Sequence, residues 1–150
     1  MLEAIRNAEE NISSGKGGPF GAVVVKNGKI IASVGNRVTS TNDPTAHAEV
    51  VAIREACKTL ETFDLTGCEI YASCEPCPMC LGAIMWARID RLYYAADRVD
   101  ASRAGFDDEL FYSEIALPPG KRMLNPTQLL QKEANEIFDK WIAFSDKIPY

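Results

Sequence analysis

Histidine is nearly missing from this sequence: His47 is the single one in 150 residues. That excludes a metal site built on several imidazoles, and any Ser-His-Asp triad would have to use His47 itself. Long apolar runs are missing too. No stretch approaches the roughly 18–20 residues that a membrane-spanning helix needs. The opening MLEAIRNAEENISSGKG is mixed and charged, without the basic region and apolar stretch of a secretory signal, so the cytoplasm is the default location. Positive charge is in short supply. The net charge is −5, and Lys121-Arg122 is the one adjacent basic pair. Nucleic-acid affinity rests largely on Lys and Arg, so a broad phosphate-binding footprint is disfavoured. A small, uncharged or polar substrate fits better. Repeats, low-complexity tracts and linkers are absent. The length suits one domain, 1–150, and 47% apolar residues suffice for a core.

Cysteine, by contrast, is clustered. The five are Cys57, Cys68, Cys74, Cys77 and Cys80. An odd count with three crowded into seven residues makes a poor disulfide framework. In a reducing compartment such clustering points to metal.

Periodicity sets out the elements. Leu2, Ile5, Ala8 and Ile12 have helical spacing over residues 2–14, and Gly15, Gly17, Gly18 and Pro19 end that helix. PFGAVVV and KIIASVGN flank Asn27-Gly28 and read as a β-hairpin. Residues 37–46 read as loop, and 47–60 as a helix with Val50, Ile53 and Cys57 on one face. CEIYASC, 68–74, reads as a strand. Residues 77–88 read as an apolar helix opened by Pro76, and RLYYAA, 91–96, as another strand. Residues 97–120 read as irregular and 126–144 as a last helix. Helices interleaved with strands predict a layered α/β domain, and the hairpin makes its sheet mixed.

The chemistry gathers in two short motifs. His47-Ala48-Glu49 opens one helix, and Pro76-Cys77-Pro78-Met79-Cys80 opens another. Cysteines three apart on a first helical turn share a face. Unpaired N–H groups and the positive end of the helix dipole favour thiolate there, the form that binds metal. Two sulfurs and one imidazole make three ligands, and zinc takes four, which leaves one position for water or hydroxide. Bound zinc brings the pKa of water from about 15.7 to near 7. A carboxylate beside it can take the water's proton and pass it on, a role Glu49 fits, two residues from His47. H-x-E and P-C-x-x-C together are the signature of zinc deaminases, whose Glu carries protons without binding the metal. Either motif alone is weak; both together, with the chain's one His in place, are specific. Cys74 has two readings: a fourth ligand, which would close the site and make it structural, or a small buried residue ending a strand. Cys57 and Cys68 read as core.

Beyond the metal motifs, GGPFGAVVVKNGKII, NDPTAHAEVVAIR, SCEPCPMCLGAIMWARI and AGFDDELFY resemble, in order and spacing, the cytidine-deaminase superfamily and within it the bacterial guanine deaminases. The DPTAHAE and PCPMC blocks equally suit tRNA adenosine deaminases; GFDD resembles the guanine-deaminase block. The resemblance covers roughly residues 17–115 and the terminal Tyr150. It implies a three-layer α/β/α cytidine-deaminase-like fold with a central mixed sheet of about five strands. It also implies one Zn²⁺ per subunit on His47, Cys77 and Cys80, and conversion of guanine to xanthine and ammonia. By the same resemblance Glu49 shuttles protons. Asn36 hydrogen-bonds the purine, Phe20 and Trp86 flank the base, and the Ala48 N–H adds a contact. Asp108 meets the amino-bearing edge and assists proton transfer. A homodimer is implied as well, in which the C-terminal segment, about 120–150, is exchanged and brings Tyr150 onto the substrate. Structural roles compete at several of these positions. Phe20 and Trp86 lie in apolar runs and could be core; Asn36 follows a strand, a common turn position; Asp107-Asp108 could be a solvated pair; Ile148-Pro149-Tyr150 could be a frayed tail. Guanosine or another small base, a tRNA adenosine, and an idle structural zinc module are the alternative functions.

Overall fold

The computed structural model describes residues 1–149; Tyr150 lies outside the described residues. Two compact units divide the chain, one from Met1 to Glu109 and one from Leu110 onward.

In the first unit the hairpin forms as the sequence predicts. β1 (Gly21–Lys26) pairs antiparallel with β2 (Lys29–Gly35). Asn27 and Gly28 both take positive φ, 51° and 73°, as a two-residue turn matched to strand twist requires. β3 (Cys68–Cys74) runs antiparallel to the other edge of β1, and β4 (Arg91–Ala96) runs parallel to β3. The sheet order is β2-β1-β3-β4. Among the described residues the sheet has four strands, so the expected fifth is corrected. The chain after β4 turns helical instead. Asp97 accepts from the N–H groups of Val99 and Asp100, and the Asp100 carboxylate accepts from the Asp97 N–H. That reciprocal cap starts a helix at the point where a further strand would have to begin.

Helices cover both faces. α1 (Leu2–Ser13) lies on one, with Ala4 and Ala8 against Gly21 and with Asn7 donating to Ser33. α3 (Ala48–Leu60) and α4 (Pro78–Trp86) lie on the other, following the short α2 (Val38–Thr41). Side chains alternate along a strand, so Ala22, Val24, Ala32, Val34 and Ile70 form one core with Ala48, Val51, Ala52, Ala56 and Ile84. The three-layer α/β/α arrangement follows. Two elements occupy the segment expected to be irregular: α5 (Arg98–Arg103) and α6 (Glu109–Ala116), the second crossing into the other unit. A 3₁₀ turn at Pro119–Lys121 and α7 (Gln131–Ala143) complete the chain. Its apolar Phe138, Trp141 and Ile142 are exposed.

The contact of α1 with the sheet depends on one missing side chain. A Cβ on Gly21 would lie 2.2 Å from the Ala4 carbonyl oxygen and 2.8 Å from the Ala8 nitrogen, both backbone atoms. Gly21→Ala must therefore displace the helix and is expected to cost roughly 3 kcal/mol, read as a lower urea midpoint. Gly82→Ala, in α4 with nothing within 4 Å, should instead hold or raise the midpoint, because Ala is the better helix former.

Candidate functional site

Two helix starts converge. His47 is the N-cap of α3 and Cys77 the N-cap of α4; both are extended, at φ −62°. Helix α4 opens at Pro78, at its N1 position, and not at Pro76. Pro at N1 lacks only an N–H that would have had no helical partner, and the shift leaves Cys77 outside the helix and Cys80 at the third helical position. The loop before His47 is fixed by its own bonds. The Asp43 carboxylate accepts from the Thr45 N–H at 2.8 Å, the Ala46 N–H donates to the Asp43 carbonyl, and the Arg37 N–H donates to the Ala46 carbonyl.

The three side chains meet. His47 Nδ1 lies 3.6 Å from Cys77 Sγ and 3.4 Å from Cys80 Sγ, and the sulfurs are 3.6 Å apart. Zinc at about 2.3 Å from sulfur and about 2.0–2.1 Å from nitrogen, with tetrahedral angles, holds its donors roughly 3.5–3.8 Å apart. The spacing fits. His47, Cys77 and Cys80 are the one group of this kind among the described residues, and Cys74 is not part of it. Cys74 is buried at the end of β3, and burial, reinforced by the Glu49 carboxylate, pushes its thiol up to about 11.

Charge in the site is tightly coupled. The bond with Cys80 holds the Cys77 thiol down at about 4, with His47 assisting against the cost of burial. The same bond and burial push Cys80 far above the ordinary thiol range. Hydrogen bonding with Cys77 raises His47. Glu49, in the first turn of α3, is 7% exposed; burial raises its carboxyl, which touches Cys80 and its own backbone N–H.

The family model for the cytidine and deoxycytidylate deaminase zinc-binding region matches residues 1–96. The chain belongs to this deaminase family. It is 52% identical to the guanine deaminase of Bacillus subtilis over 150 residues, covering 100% of this chain and 96% of that protein. The X-ray structure of a guanine deaminase from Bacillus subtilis superposes with a TM-score of 0.96 at 51% identity, covering 99% of this chain and 95% of that one. The tRNA-specific adenosine deaminase of Aquifex aeolicus is 45% identical over 93 residues, 62% of this chain and 61% of that protein.

Around this deaminase centre the other expected residues differ in placement. Asn36 follows β2 and is 6% exposed; its Oδ1 accepts from the Val38 N–H at 3.1 Å. Ala48 is buried as the first residue of α3, where helix N–H groups lack an intrahelical partner. Phe20, half-buried, packs on the core and meets Phe106 edge-on, with ring centroids 4.8 Å apart. Asp108 is half-buried; desolvation raises its carboxyl, and the charge of Cys77 adds to that, which puts it within electrostatic reach of the cysteine pair. Trp86 is the last residue of α4 and is 69% exposed, at the end of the helix opposite Cys77, so it is not core. Tyr150 lies outside the described residues. Three residues were missed by sequence reasoning. Phe106 lies within GFDD but was given no role of its own, and it pairs with Phe20. Glu75 accepts from the Arg98 N–H at 3.2 Å and ties the cysteine loop to α5. Asn11 reads only as a polar position on an amphipathic helix.

Zinc binds thiolate and unprotonated imidazole nitrogen, and the Cys80 thiol is held in its protonated form beside Cys77, so loading zinc should expel protons. Calorimetry in buffers of differing ionisation enthalpy should show roughly one to two protons released per ion, with affinity falling as pH falls. Binding without proton release would contradict the coupling described above.

Proposed function

We propose that this chain catalyses the hydrolytic deamination of guanine to xanthine and ammonia. The observation that carries the proposal is the buried Glu49 carboxyl set beside a His-Cys-Cys group of zinc-like spacing. The similarity to the guanine deaminase of Bacillus subtilis over the whole chain selects the substrate.

In this reading His47, Cys77 and Cys80 would hold one Zn²⁺ and leave a further position for water. Zinc supplies Lewis-acid activation, making water acidic enough to ionise near neutral pH. Glu49 takes a proton from the attacking water and delivers it to the ring nitrogen beside C2. A second proton passes through Glu49 to the amino group, the C2–N bond breaks, and ammonia leaves. A carboxyl raised by burial suits this traffic, because it binds and releases protons closer to neutrality than an exposed one. The Asn36 Oδ1 is engaged by the Val38 N–H, so its Nδ2–H₂ faces the substrate as a donor. Phe20 flanks the base, and the Ala48 N–H adds a backbone donor. Asp108 accepts from the N–H-bearing edge of guanine and assists proton transfer. Adenine offers an acceptor nitrogen beside its amine. A buried carboxylate facing that nitrogen would be left unpaired, a mismatch that can cost about 10⁴–10⁵ in discrimination.

The protein acts in the cytoplasm as a homodimer. All five cysteines are free, which fits a reducing compartment, and no helix among the described residues is long and apolar enough to cross a membrane. The exposed apolar side chains of α7 and of the end of α4 support association, with the C-terminal segment exchanged so that Tyr150 reaches the partner's substrate.

Glu49→Gln should retain zinc, measured by metal analysis, while turnover falls by about 10³ or more; a variant with full activity would remove the mechanism. Ammonia release by the zinc-loaded protein should be rapid with guanine and at background with guanosine, adenine and cytosine. Preference for guanosine would show that the ribose side of the site is open. Turnover of adenosine in tRNA alone would move the assignment to the runner-up.

A further inference from the structure

Asn11 lies outside every motif that suggests chemistry, yet it is 7% exposed on a helix whose neighbouring positions are mostly in solvent. Its Nδ2 donates both hydrogens, to the Gly18 carbonyl at 2.8 Å and to the Asn36 carbonyl at 2.9 Å. Those two acceptors belong to the segments that carry Phe20 and Asn36, and the segments are also joined directly, the Asn36 N–H donating to the Phe20 carbonyl at 2.9 Å.

Space at this junction is nearly exhausted. A Cβ on Gly17 would stand 2.5 Å from the Asn36 carbonyl oxygen and 2.7 Å from Asn11 Nδ2. A Cβ on Gly35 would stand 2.8 Å from Asn11 Cγ. Gly17 and Gly35 are therefore the spaces into which the Asn11 amide and the Asn36 backbone fit. Asn36 is then constrained twice: its backbone by Asn11, its side-chain oxygen by the Val38 N–H. Only the Asn36 Nδ2 has no bond among the described residues, which leaves one donor with a fixed direction.

We propose that Asn11 is a positioning residue for the substrate, clamping the Phe20 and Asn36 segments so that the Asn36 amide donor and the Phe20 ring present a preformed site to the purine base. The proposal rests on the reading of Asn36 and Phe20 as substrate contacts. A neutral amide is required, because both partners are carbonyl oxygens and only a side chain with two hydrogens on one nitrogen serves both. Leucine matches the volume and removes both donors.

The test uses the zinc-loaded full-length protein, assayed with guanine well below each variant's melting point. Asn36→Ala, Asn11→Leu, their combination and Gly17→Ala are compared, with zinc content checked throughout. Asn11→Leu and Gly17→Ala should each raise KM about tenfold or more, with kcat per bound zinc changing less. In the Asn36→Ala background Asn11→Leu should add little, since its effect runs through Asn36. A merely structural Asn11 would lower the melting temperature and leave KM unchanged, or would add in full to Asn36→Ala; either result overturns the proposal. If Asn36→Ala itself leaves KM unchanged, the reading of Asn36 as a substrate contact fails, and the proposal falls with it. If Asn36→Ala raises KM but Asn11→Leu and Gly17→Ala do not, the positioning role alone is overturned. Should Asn11→Leu fail to fold, Gly17→Ala decides, since its Cβ crowds both the Asn36 carbonyl and the Asn11 amide.

Discussion

The site depends on two helices beginning at the same place with unusual residues in their first positions. An N-cap ordinarily carries Ser, Thr, Asp or Asn, whose oxygen satisfies a free N–H, and loss of such a cap costs about 1 kcal/mol. Here the caps are His47 and Cys77, and neither makes a side-chain capping bond. The local stability of both helices is thus below what their sequences could have given, and the cap positions present metal donors instead. Packing replaces what the caps do not supply. The inner face of α3 is Ala48, Val51, Ala52 and Ala56 against Ala22, Val24 and Ile70, small residues that let helix and sheet approach closely and fix where α3 begins.

Electrostatics points to a cation at that spot independently of the donor spacing. Glu49, Cys74, Cys77, Cys80 and Asp108 are all acids, gathered where burial opposes their ionisation. Four of the five are driven toward the protonated form, with Cys77 the exception. Such a collection is poorly arranged as a bare surface, since each group resists the ionisation of the next. A divalent ion reverses that balance, stabilising thiolates and neighbouring carboxylate together. Of these groups Cys77, beside Cys80 and His47, is the one held toward the thiolate, the form in which a cysteine would bind a divalent ion.

The parts of this arrangement that were legible in the sequence are those written in neighbouring residues. Cys68–Cys74 and Arg91–Ala96 alternate or run apolar over one strand length and were read to the residue. The two metal motifs sit at helix starts that proline and the change of period announce. The elements that were missed have short or distant signals. α5 has six residues, too few for a periodic pattern, and its one local mark is the Asp97-x-x-Asp100 reciprocal cap. Asn11 could not be read at all, because its meaning lies in carbonyls 7 and 25 residues away. The count of strands failed for a related reason. The expected fifth came from resemblance, whereas the fate of the chain after Ala96 is decided by the cap at Asp97.

The family model ends at residue 96, and the adenosine deaminase of Aquifex aeolicus matches over 93 residues, whereas the guanine deaminase of Bacillus subtilis matches over all 150. The His47-Cys77-Cys80 group, Glu49 and Asn36 all fall within the residues that the family model matches. Asp108 lies beyond the residues that the family model matches. Its neighbours are held on both sides: Phe106 meets the Phe20 ring, and Glu109 pairs with Arg98 at 3.3 Å. That pair is exposed and contributes little to stability. The Phe20–Phe106 contact is the stronger constraint, and it joins the part of the chain that the family model matches to the segment that carries Asp108. A change at Phe20 therefore reaches past its own segment, through Phe106, to the loop that carries Asp108.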